Sequence, residues 1–590
     1  MKKNITKKVI SVLLATCLLV SLLSGCNNNS SQSTTENNND VTTTAGTEDN
    51  STTENEGFQH DPNLNEVGVE PIAKETVTLT IMIQQNSNVE DYTTNGLTKL
   101  LEKEANVKLE FMEIPSAQME EKIRLMASGG GDDLPDIIIH SMSDALVEEL
   151  ASEKMIIPLD DYYENCSVYF KDGFERVLAD RGVDFFNYLK TGDGHVYTVP
   201  QFNETVTGAY PARIWVYQPW LDALKIKAED IVTTEDFYNL LYAFKTQDPN
   251  GNGEADEIPA LSHARENGGK FIDGMMGAFI SPRSGADGLN ATNGVLSAPY
   301  VEEGWKEGIK YIKSLIDAGL YDASSFTMNL DSFKTIMNAE GIQKVGCFVY
   351  GYQSFLTSSH PSYYEWTMLP PLTGPEDVCT TTYIAEVPNN RGFITKNCKS
   401  PELAFRLLDL MGREDITITS RWGTQDVAWS YVEDLKKTDE YKNVAFDQTF
   451  NGYPAYIHAY NSKWGTLQNE HWNNWNPSFR TAEIGCGYNA ATLSFAKEGL
   501  YNFELARVLP DYEAVAPKEK VAKLKFSGEA LAEAAEIKNE IGALVSEKLS
   551  HWLTGAADID KEWDAYVKQL ESLGLSRYLE LAQEAYDKTK

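Results

Sequence analysis

Apolar residues in the first folded part of the chain recur in two alternating patterns. Strand-like apolar runs occupy 76–83, 108–114 and 134–140, and segments with a helical period of about 3.6 residues, 95–107 and 116–130, lie between them. A strand followed by a helix and another strand favours parallel pairing. The pattern therefore predicts a parallel sheet that is covered by helices.

A second mixed pattern of helices and strands follows. It contains a helix with Trp305, Ile309 and Ile312 on one face, and strand-like runs at 345–351 and 366–372. The patterns alone predict a chain of the α/β class with two domains.

The last third of the chain has mainly helical periodicity. At its start, the segment 392–412 predicts a strand and then a helix, with Ser400 as the N-cap, Pro401 as the first helical residue and Gly412 just after the end. We find no internal repeat.

The first residues resemble a bacterial lipoprotein signal peptide. Four lysines lie among the first eight residues, the apolar run 9–23 is too short to span a bilayer, and LSGC ends at Cys26. Small residues before a cysteine are what lipoprotein signal peptidase requires. We therefore expect a signal peptide at 1–25 and lipid on Cys26, and an ordinary secretory signal with a chance cysteine is the alternative.

A polar segment separates this cysteine from the folded part. Residues 27–57 contain no aromatic residue, and Val41 is their one branched aliphatic residue. Such a segment buries too little apolar surface to offset the entropy of ordering. We expect 26–71 to be the lipidated cysteine and a disordered tether, which holds the protein at the extracellular face of the cell membrane.

The composition excludes some partners. The chain has 590 residues and a net charge of −36, so it lacks the basic face that nucleic acid requires. Apart from Cys26, the mature chain has five scattered cysteines that form no regular framework: Cys166, Cys347, Cys379, Cys398 and Cys486. We predict no disulfide, no nucleic-acid partner and a monomer.

Eight segments follow one another in order along residues 75–590. They read LMASGGGDDLPDIII, DGHVYTVPQ, RIWVYQPWLDAL, TTEDFYNLLYAFKTQDPNGNGEADEIP, YIKSLIDAGLYD, KSPELAFRLLDLM, RWGTQDVAW and EWDAYVKQLESLGLSRYLELAQEAYDK. Together they resemble the extracellular solute-binding lipoproteins of carbohydrate ABC transporters, in the branch that includes alginate-oligosaccharide-binding proteins. The chain departs from this family at IWVYQPWL, where relatives carry a charged residue before the tryptophan, and in the extra glycines of SGGGDD.

The resemblance implies an α/β, two-lobed fold of the periplasmic-binding-protein type, with hinge strands between the lobes and ligand in the cleft. On this basis we expect lobe one at 72–200 plus 385–430 and lobe two at 201–384 plus 431–590, with a helical C-terminal region. The implied function is to capture an oligosaccharide by lobe closure and deliver it to an ABC permease.

Two other functions stay open. A surface glycoside-active enzyme needs paired carboxylates, for which Asp132 and Asp133 are candidates. The chain has no HExxH, CxxC, GxSxG or Walker A motif, so we predict that it is not an enzyme. A peptide-binding or sensor lipoprotein would share the same fold.

Sugar rings present an apolar face and a rim of hydroxyls, which proteins bind with aromatic rings and polar side chains. The segment 451–479 has seven aromatic residues and six asparagines among 29 residues. A core segment seldom contains so many amides, because each buried amide needs a partner. Trp464, Trp472 and Trp475 are therefore predicted platforms for sugar, and packing of these rings beneath a lobe is the alternative.

Other ligand candidates lie near the expected crossings between the lobes or at a strand end. They are Trp422, Gln425, Asp426 and Trp429 in SRWGTQDVAW, Gln201, Asn203, Glu204 and Arg213 near the first crossing, and Tyr350 and Tyr352 after a strand. Trp305 and Trp563 have the spacing of core residues on helices, so we expect them outside the site.

The segment DPNGNGEADEIP at 248–259 begins like an EF-hand calcium loop. Acidic and amide residues occupy positions 1, 3, 5 and 9 and a glycine occupies position 6, but Pro259 replaces the glutamate of position 12. The predicted ligands are Asp248, Asn250, Asn252, the carbonyl of Glu254, Asp256 and Glu257. The resemblance adds that alginate-binding relatives carry calcium on such a loop. We predict structural calcium here, and a turn without metal is the alternative.

Overall fold

Strands and helices alternate over much of the described chain. The computed structural model describes residues 58–204, 208–263, 270–282, 288–352, 355–357, 359–464, 466–495, 500–521, 523–526 and 528–588. The predicted signal peptide, Cys26 and the polar segment up to residue 57 lie outside the described residues.

Most of the strands are short. They are β1 (Val77–Gln84), β2 (Val107–Ile114), β3 (Ile137–Ile139), β4 (Val199–Asn203), β5 (Ile214–Tyr217), β6 (Asn290–Thr292), β7 (Val295–Ser297), β8 (Cys347–Val349), β9 (Trp366–Met368), β10 (Asn389–Ile394), β11 (Ser430–Tyr431), β12 (Thr449–Phe450), β13 (Tyr453–Pro454), β14 (Ile457–His458) and β15 (Ser478–Arg480).

The C-terminal part is mainly helical, as the sequence predicts, and α17 with 26 residues is the longest helix of the described residues. They are α1 (Gly96–Ala105), α2 (Met119–Ser128), α3 (Asp144–Ser152), α4 (Asp160–Cys166), α5 (Tyr169–Arg181), α6 (Phe185–Leu189), α7 (Gln218–Leu224), α8 (Thr234–Thr246), α9 (Lys270–Met276), α10 (Glu303–Asp317), α11 (Leu330–Met337), α12 (Pro401–Leu410), α13 (Glu414–Trp422), α14 (Val432–Leu435), α15 (Ala482–Thr492), α16 (Leu500–Ala514), α17 (Glu529–Thr554), α18 (Ile559–Ser572) and α19 (Leu575–Asp587).

A six-stranded sheet has the order β15-β4-β10-β3-β1-β2. The strands β2 and β3 both pair in parallel with β1, which confirms the parallel arrangement predicted for the first strands. The later strand β10 enters antiparallel to β3 and β4. The central strands are covered on both faces, because Ile81 and Ile83 belong to one apolar cluster and Met82 to another.

The second sheet has three antiparallel strands, in the order β8-β5-β9. It lies in a large apolar core that includes the helix predicted around residue 305. In that core Trp305 packs on Trp563 with ring centroids 6.1 Å apart, and the two side chains are 6% and 7% exposed. Both tryptophans are core residues, as their spacing predicts.

The chain crosses between these two sheets several times. It leaves the first sheet after β4, builds the second sheet and returns through β10, and after β15 it enters the core of the second sheet with α16–α19. The expected boundaries assign residues 478–480 to lobe two, whereas these residues pair in parallel with β4 in the first sheet. The lobe boundaries stay a prediction.

Two further observations concern the predicted tether and the membrane. Residues 58–71 fall within the expected tether, yet Leu64 is buried and bridges to Ala73. Across the described ranges, no helix has both the length and the apolar character needed to cross a bilayer.

Candidate functional site

Guanidinium groups and aromatic rings alternate where the end of α13 meets the loop after residue 460. The Arg421 guanidinium carbon lies 4.2 Å from the ring centroid of Trp464 and 5.4 Å from that of Trp422. The Arg480 guanidinium carbon lies 5.1 Å from the Trp422 centroid. We call these four residues the Arg–Trp cluster. Each distance falls within the roughly 6 Å range of cation–π attraction.

Local sequence places these side chains. Arg421 and Trp422 end α13, where a cation is favoured by the helix dipole, and Gly423 follows with a φ of 103° that terminates the helix. Arg480 is the last residue of β15. Because Trp464 lies on a loop and is 42% exposed, the cluster has one solvent-facing ring.

The arginines of this region lack ionic partners. In the described ranges, no carboxylate oxygen lies within 4.0 Å of Arg421, Arg480 or Arg391, and the buried Nε atoms of all three have no hydrogen-bond partner. Burial lowers the pKa of Arg480 to about 9 and that of Arg391 to about 10, and it also lowers the pKa of Arg421. Unpaired buried donors are costly, so these groups are suited to bind oxygen atoms of a ligand.

Tyrosines border the cluster. The ring centroid of Tyr488 lies 4.7 Å from that of Trp422. Electrostatic interactions with Tyr488, Tyr352 and Tyr501 partly oppose the effect of burial on the pKa of Arg421. Tyr352 comes from the segment after β8 and Tyr501 from α16, so elements of the second region lie near this arginine.

A second arginine–tryptophan pair lies beside the first. The Arg391 guanidinium carbon is 4.8 Å from the ring centroid of Trp475, and its Nη2 donates to Oε1 of Gln201 at 2.7 Å. Gln201 in turn donates to the carbonyls of Asn474 and Asn476 at 2.7 and 3.2 Å. The predicted candidates Gln201 and Trp475 are thus joined through an arginine that the sequence analysis did not select.

Asn203, the last residue of β4, is hydrogen-bonded to the Arg–Trp cluster. Its Oδ1 accepts a hydrogen bond from Nη1 of Arg480 at 3.4 Å.

The half-buried Gln425 and the exposed Asp426 lie in the turn after α13, where Asp426 accepts from Ser430 Oγ at 2.9 Å. Tyr350 is half-buried and its ring lies 5.5 Å from that of Tyr352, which is 49% exposed.

Two of the predicted ligand residues, the platform Trp472 and the candidate Trp429, are core residues. Trp472 is fully buried, its ring packs on Tyr92 and Phe111, and its Nε1 donates to Thr98 Oγ1 at 2.9 Å. Trp429 is also fully buried, and its Nε1 donates to the Gly423 carbonyl at 2.9 Å. A ring without exposed surface presents no face to a ligand, so the structure corrects the prediction at both positions.

Glu204 and Arg213 also have structural partners. Buried Glu204 accepts from Arg176 Nη2 at 2.9 Å and from the backbone N–H of Ala482 at 3.1 Å. Buried Arg213 donates to the carbonyl of Gly351 at 2.6 Å and to the Tyr501 hydroxyl at 3.2 Å. These contacts tie the ends of β4 and β5 to neighbouring elements.

The arginines were the residues that sequence reasoning missed. Arg421 directly precedes Trp422, and Arg480 and Arg391 lie on strands next to predicted candidates. The arginine directly before Trp422 was a visible signal, but the chain has 51 basic residues and nothing in the sequence marks these three as unpaired.

The acidic loop, residues 248–257, is folded around its own side chains. Asp248 accepts from the backbone N–H groups of Asn252 and Gly253 at 3.1 and 3.0 Å. Asn250 and Asn252 accept in the same way from the N–H groups two residues on, at 3.0 and 2.7 Å. The side-chain oxygens of Asp248, Asn250 and Asn252 (positions 1, 3 and 5) thus close consecutive turns by accepting backbone hydrogen bonds, as in a calcium loop.

The carboxylates of the acidic loop fit a cation. Asp256 accepts from the amides of Asn250 and Asn252 at 3.0 Å and from Lys344 Nζ at 2.7 Å, and the bond from Lys344 is the main cause that lowers its pKa to about 2. Glu257 Oε1 is buried and has no hydrogen-bond partner. Burial, with a smaller contribution from Asp248 and Asp256, raises the pKa of Glu257. An unpaired carboxylate oxygen beside two other carboxylates is what a hard cation would satisfy.

Two α/β regions with repeated crossings and a polar, arginine-rich junction define a binding protein of the solute-binding class. Residues 86–418 match the family model described as bacterial extracellular solute-binding protein. The match covers more than half of the chain, and the chain belongs to this family.

Similar proteins support the assignment to the solute-binding class. The chain is 27% identical over 504 residues to the fructooligosaccharide ABC transporter substrate-binding protein FusA of Streptococcus pneumoniae serotype 4, covering 82% of this chain and 86% of FusA. The fold matches FusA in complex with kestose at a TM-score of 0.67 with 23% identity, covering 87% of this chain and 99% of that one. A FusA EF-hand mutant in complex with fructo-nystose has also been solved, and it matches at a TM-score of 0.66.

Two more distant structures share the fold. One is a human-milk-oligosaccharide-binding (HMO) solute-binding protein of Bifidobacterium longum infantis, with a TM-score of 0.67, 19% identity, and coverage of 87% of this chain and 99% of that one. The other is the alginate-binding protein AlgQ2 without calcium ion, with a TM-score of 0.61, 19% identity, and coverage of 87% and 98%. The two-lobed α/β fold and the solute-binding class, with no enzymatic role, agree with the sequence prediction.

Proposed function

We propose that this protein is a lipid-anchored extracellular solute-binding protein that captures an oligosaccharide and delivers it to an ABC permease. The observation that carries the proposal is the Arg–Trp cluster, in which buried guanidinium nitrogens without partners lie against aromatic rings. The oligosaccharide specificity is supported by the resemblance to FusA, which is a fructooligosaccharide-binding protein.

The Arg–Trp cluster and the neighbouring Arg391–Trp475 pair each have a role in this proposal. Trp464, with its exposed surface, stacks on the apolar face of a sugar ring, and Trp475 does so beside Arg391. The arginines, with Gln201 and Asn203, bind the hydroxyls or acidic groups of the sugar. The buried Trp422 ring contacts the guanidinium groups of Arg421 and Arg480 and holds both in position.

Lobe closure completes the site. Arg421, Trp464 and Arg391 belong to the region of the first sheet or to the loops beside it, whereas Tyr350 and Tyr352 follow a strand of the second sheet. A ligand that bridges these groups stabilises the closed arrangement, because it binds that state better than the open one.

Calcium is the proposed structural ion of the acidic loop. Asp248, Asn250, Asn252, the Glu254 carbonyl, Asp256 and Glu257 would hold it, and the ion would neutralise three crowded carboxylates. The match between this loop and a calcium ion rests on the unpaired Glu257 oxygen and on the three consecutive turns. The proposal is supported by two proteins of the same fold, since FusA has been solved as an EF-hand mutant and AlgQ2 has been solved without calcium ion.

Anchoring rests on Cys26. Replacing it, as Cys26→Ala, should leave an uncleaved, unlipidated precursor in the membrane fraction, as judged by mass spectrometry. Recovery of a normally cleaved and acylated protein from this variant would contradict the assignment.

Binding is tested with the mature chain, without lipid, by calorimetry against neutral and uronate-containing oligosaccharides. We expect saturable binding to at least one oligosaccharide, with a change in tryptophan fluorescence and no product on chromatography. Saturable binding to peptides and to no carbohydrate would overturn the proposal, and so would hydrolysis of a bound sugar.

A further inference from the structure

The first described residues meet two helices at a group of three potential metal ligands. His60, Cys166 and Glu402 each offer one ligand atom, and these atoms all lie within 4.8 Å of one another. His60 Nδ1 is 3.0 Å from Glu402 Oε1. Cys166 ends α4 and Glu402 lies in the first turn of α12, so packing of these helices brings the thiol and the carboxylate together.

The spacing suits a tetrahedral zinc ion. Zinc binds nitrogen and oxygen at about 2.0–2.2 Å and sulfur at about 2.3 Å, so neighbouring ligand atoms of a tetrahedral site lie roughly 3.3–3.6 Å apart. The His60–Glu402 pair already lies close to this range, and the thiol must approach by about 1 Å at most. Imidazole, thiolate and carboxylate together favour zinc over calcium or magnesium.

The exposure of the three residues shows from which side an ion and a water ligand reach the group. A cavity of about 20 Å³ beside Cys166, Arg406 and Asp409 is lined by neither His60 nor Glu402, so it does not supply the fourth ligand. The His60 side chain is 51% exposed and lines an open pocket on the surface, whereas Cys166 and Glu402 are buried. Solvent therefore reaches the group from the side of His60.

Outer contacts hold the ligands in place. Glu402 Oε2 accepts from the backbone N–H of Asp61 at 2.8 Å, which leaves Oε1 directed at His60. Arg406 lies 3.6 Å from Glu402 Oε1 and donates to the carbonyls of Asn65 and Glu66. Its positive charge opposes a bare divalent ion but attracts the negative charge of a Cys166 thiolate. A thiolate and a carboxylate together balance the charge of the ion.

We propose that His60 Nδ1, Cys166 Sγ and Glu402 Oε1 bind a zinc ion, with water as the fourth ligand. The ion ties the start of the folded part, residues 58–66, to α4 and α12. This site is separate from the acidic loop, which contains no thiol, and from the Arg–Trp cluster.

Cadmium reports on the thiolate directly, because binding produces an ultraviolet charge-transfer band. The full mature chain, stripped of metal and held in excess calcium, is titrated with cadmium alone and then with zinc as competitor. We expect one equivalent to saturate the band and zinc to displace it. His60→Gln should weaken cadmium binding by at least the 10–100-fold that loss of an outer partner costs at metal sites.

Matched cysteine variants assign the band. Cys166→Ser should abolish it, and Cys398→Ser, which removes a half-buried thiol, should leave it unchanged. Absence of a band in the wild type, or a band that persists in Cys166→Ser, would overturn the proposal. If Cys166→Ser does not fold, His60→Gln decides the question, since unchanged cadmium affinity in that variant overturns it equally.

Discussion

The acidic loop and the Arg–Trp cluster are both candidate sites, but they are assembled in opposite ways. All the predicted ligands of the loop lie within ten consecutive residues, and the loop is folded by hydrogen bonds among those same residues. The cluster joins the end of a helix, a short strand and a loop, and its neighbours come from residues as far apart as 203 and 501. A local site can be recognised from spacing, whereas a distributed site depends on what packs beside each residue.

The two sites also balance charge differently. In the loop, Lys344 and two amides already satisfy Asp256. In the cluster, like charges adjoin, since Arg421 contributes to the lowered pKa of Arg480. Asp256 is thus paired before the loop binds an ion, while Glu257 Oε1 is not, and the cluster gains most when a ligand supplies oxygen atoms. The predictions below test this contrast.

The largest effect is expected for Trp472→Ala, which removes a fully buried ring from the core. It should lower the free energy of unfolding by about 3–5 kcal/mol, measured by urea denaturation. Ligand affinity of the folded fraction should be unchanged. If the variant had normal stability and had lost affinity for the ligand, Trp472 would be a ligand-binding residue and not a core residue.

Arg421→Ala should produce the reverse outcome. Loss of charged hydrogen bonds to the ligand should cost about 3 kcal/mol of affinity, on the order of a hundredfold in Kd by calorimetry. Stability without ligand should be unchanged or higher, since the variant removes a buried cation that has no ionic partner. Arg577→Ala, which breaks an exposed ion pair with Glu533, is the matched control and should not affect affinity.

Calcium should stabilise the chain through the acidic loop. At a concentration 100-fold above Kd, a bound ion adds about 2.7 kcal/mol to the free energy of unfolding, so calcium should raise Tm and EGTA should reverse the rise. Asp248→Ala should abolish this response and leave sugar specificity unchanged. A wild-type Tm that is indifferent to calcium and EGTA would remove the ion from the proposal.

Trp464→Ala tests the exposed ring of the cluster. Loss of one stacking surface should cost about 1–2 kcal/mol of affinity, and Tm should change less than for a core tryptophan because the side chain is 42% exposed. Trp305→Ala, in the opposite sense, should destabilise the fold and spare the affinity. Equal affinity of Trp464→Ala and wild type would place the sugar elsewhere.

The smallest effect concerns pH and the Lys344–Asp256 pair. The folded-state pKa of Asp256 is lowered to about 2, so its contribution to stability is present above its unfolded pKa near 4 and is lost as the pH falls towards 2. Lys344→Gln should flatten the stability of calcium-free protein in this window. An unchanged acid profile would show that the ion pair is screened by solvent.

The asparagine-rich segment shows where sequence reasoning needed the structure. Its amides suggested ligand contacts, but Asn451, Asn473 and Asn474 adopt φ values of 49°, 52° and 61°. Asparagine tolerates this left-handed region better than most residues, so these positions serve the path of the loop. Asn474 also donates its backbone N–H to the Ser420 carbonyl at 2.8 Å, which places the loop beside α13.

Patterns within a few residues determined much of this protein. The period of apolar residues predicted the strands and helices, and the spacing of oxygen donors predicted the acidic loop, because both depend on chain geometry between near neighbours. Helical spacing also identified Trp305 and Trp563 as core residues, but which tryptophans of the irregular segment 451–479 are buried was decided by tertiary structure. Trp464 and Trp472 lie eight residues apart in one segment, yet the first faces solvent beside Arg421 and the second is enclosed by Tyr92 and Phe111. In a loop without a regular period, burial depends on residues hundreds of positions away, and local spacing does not encode it.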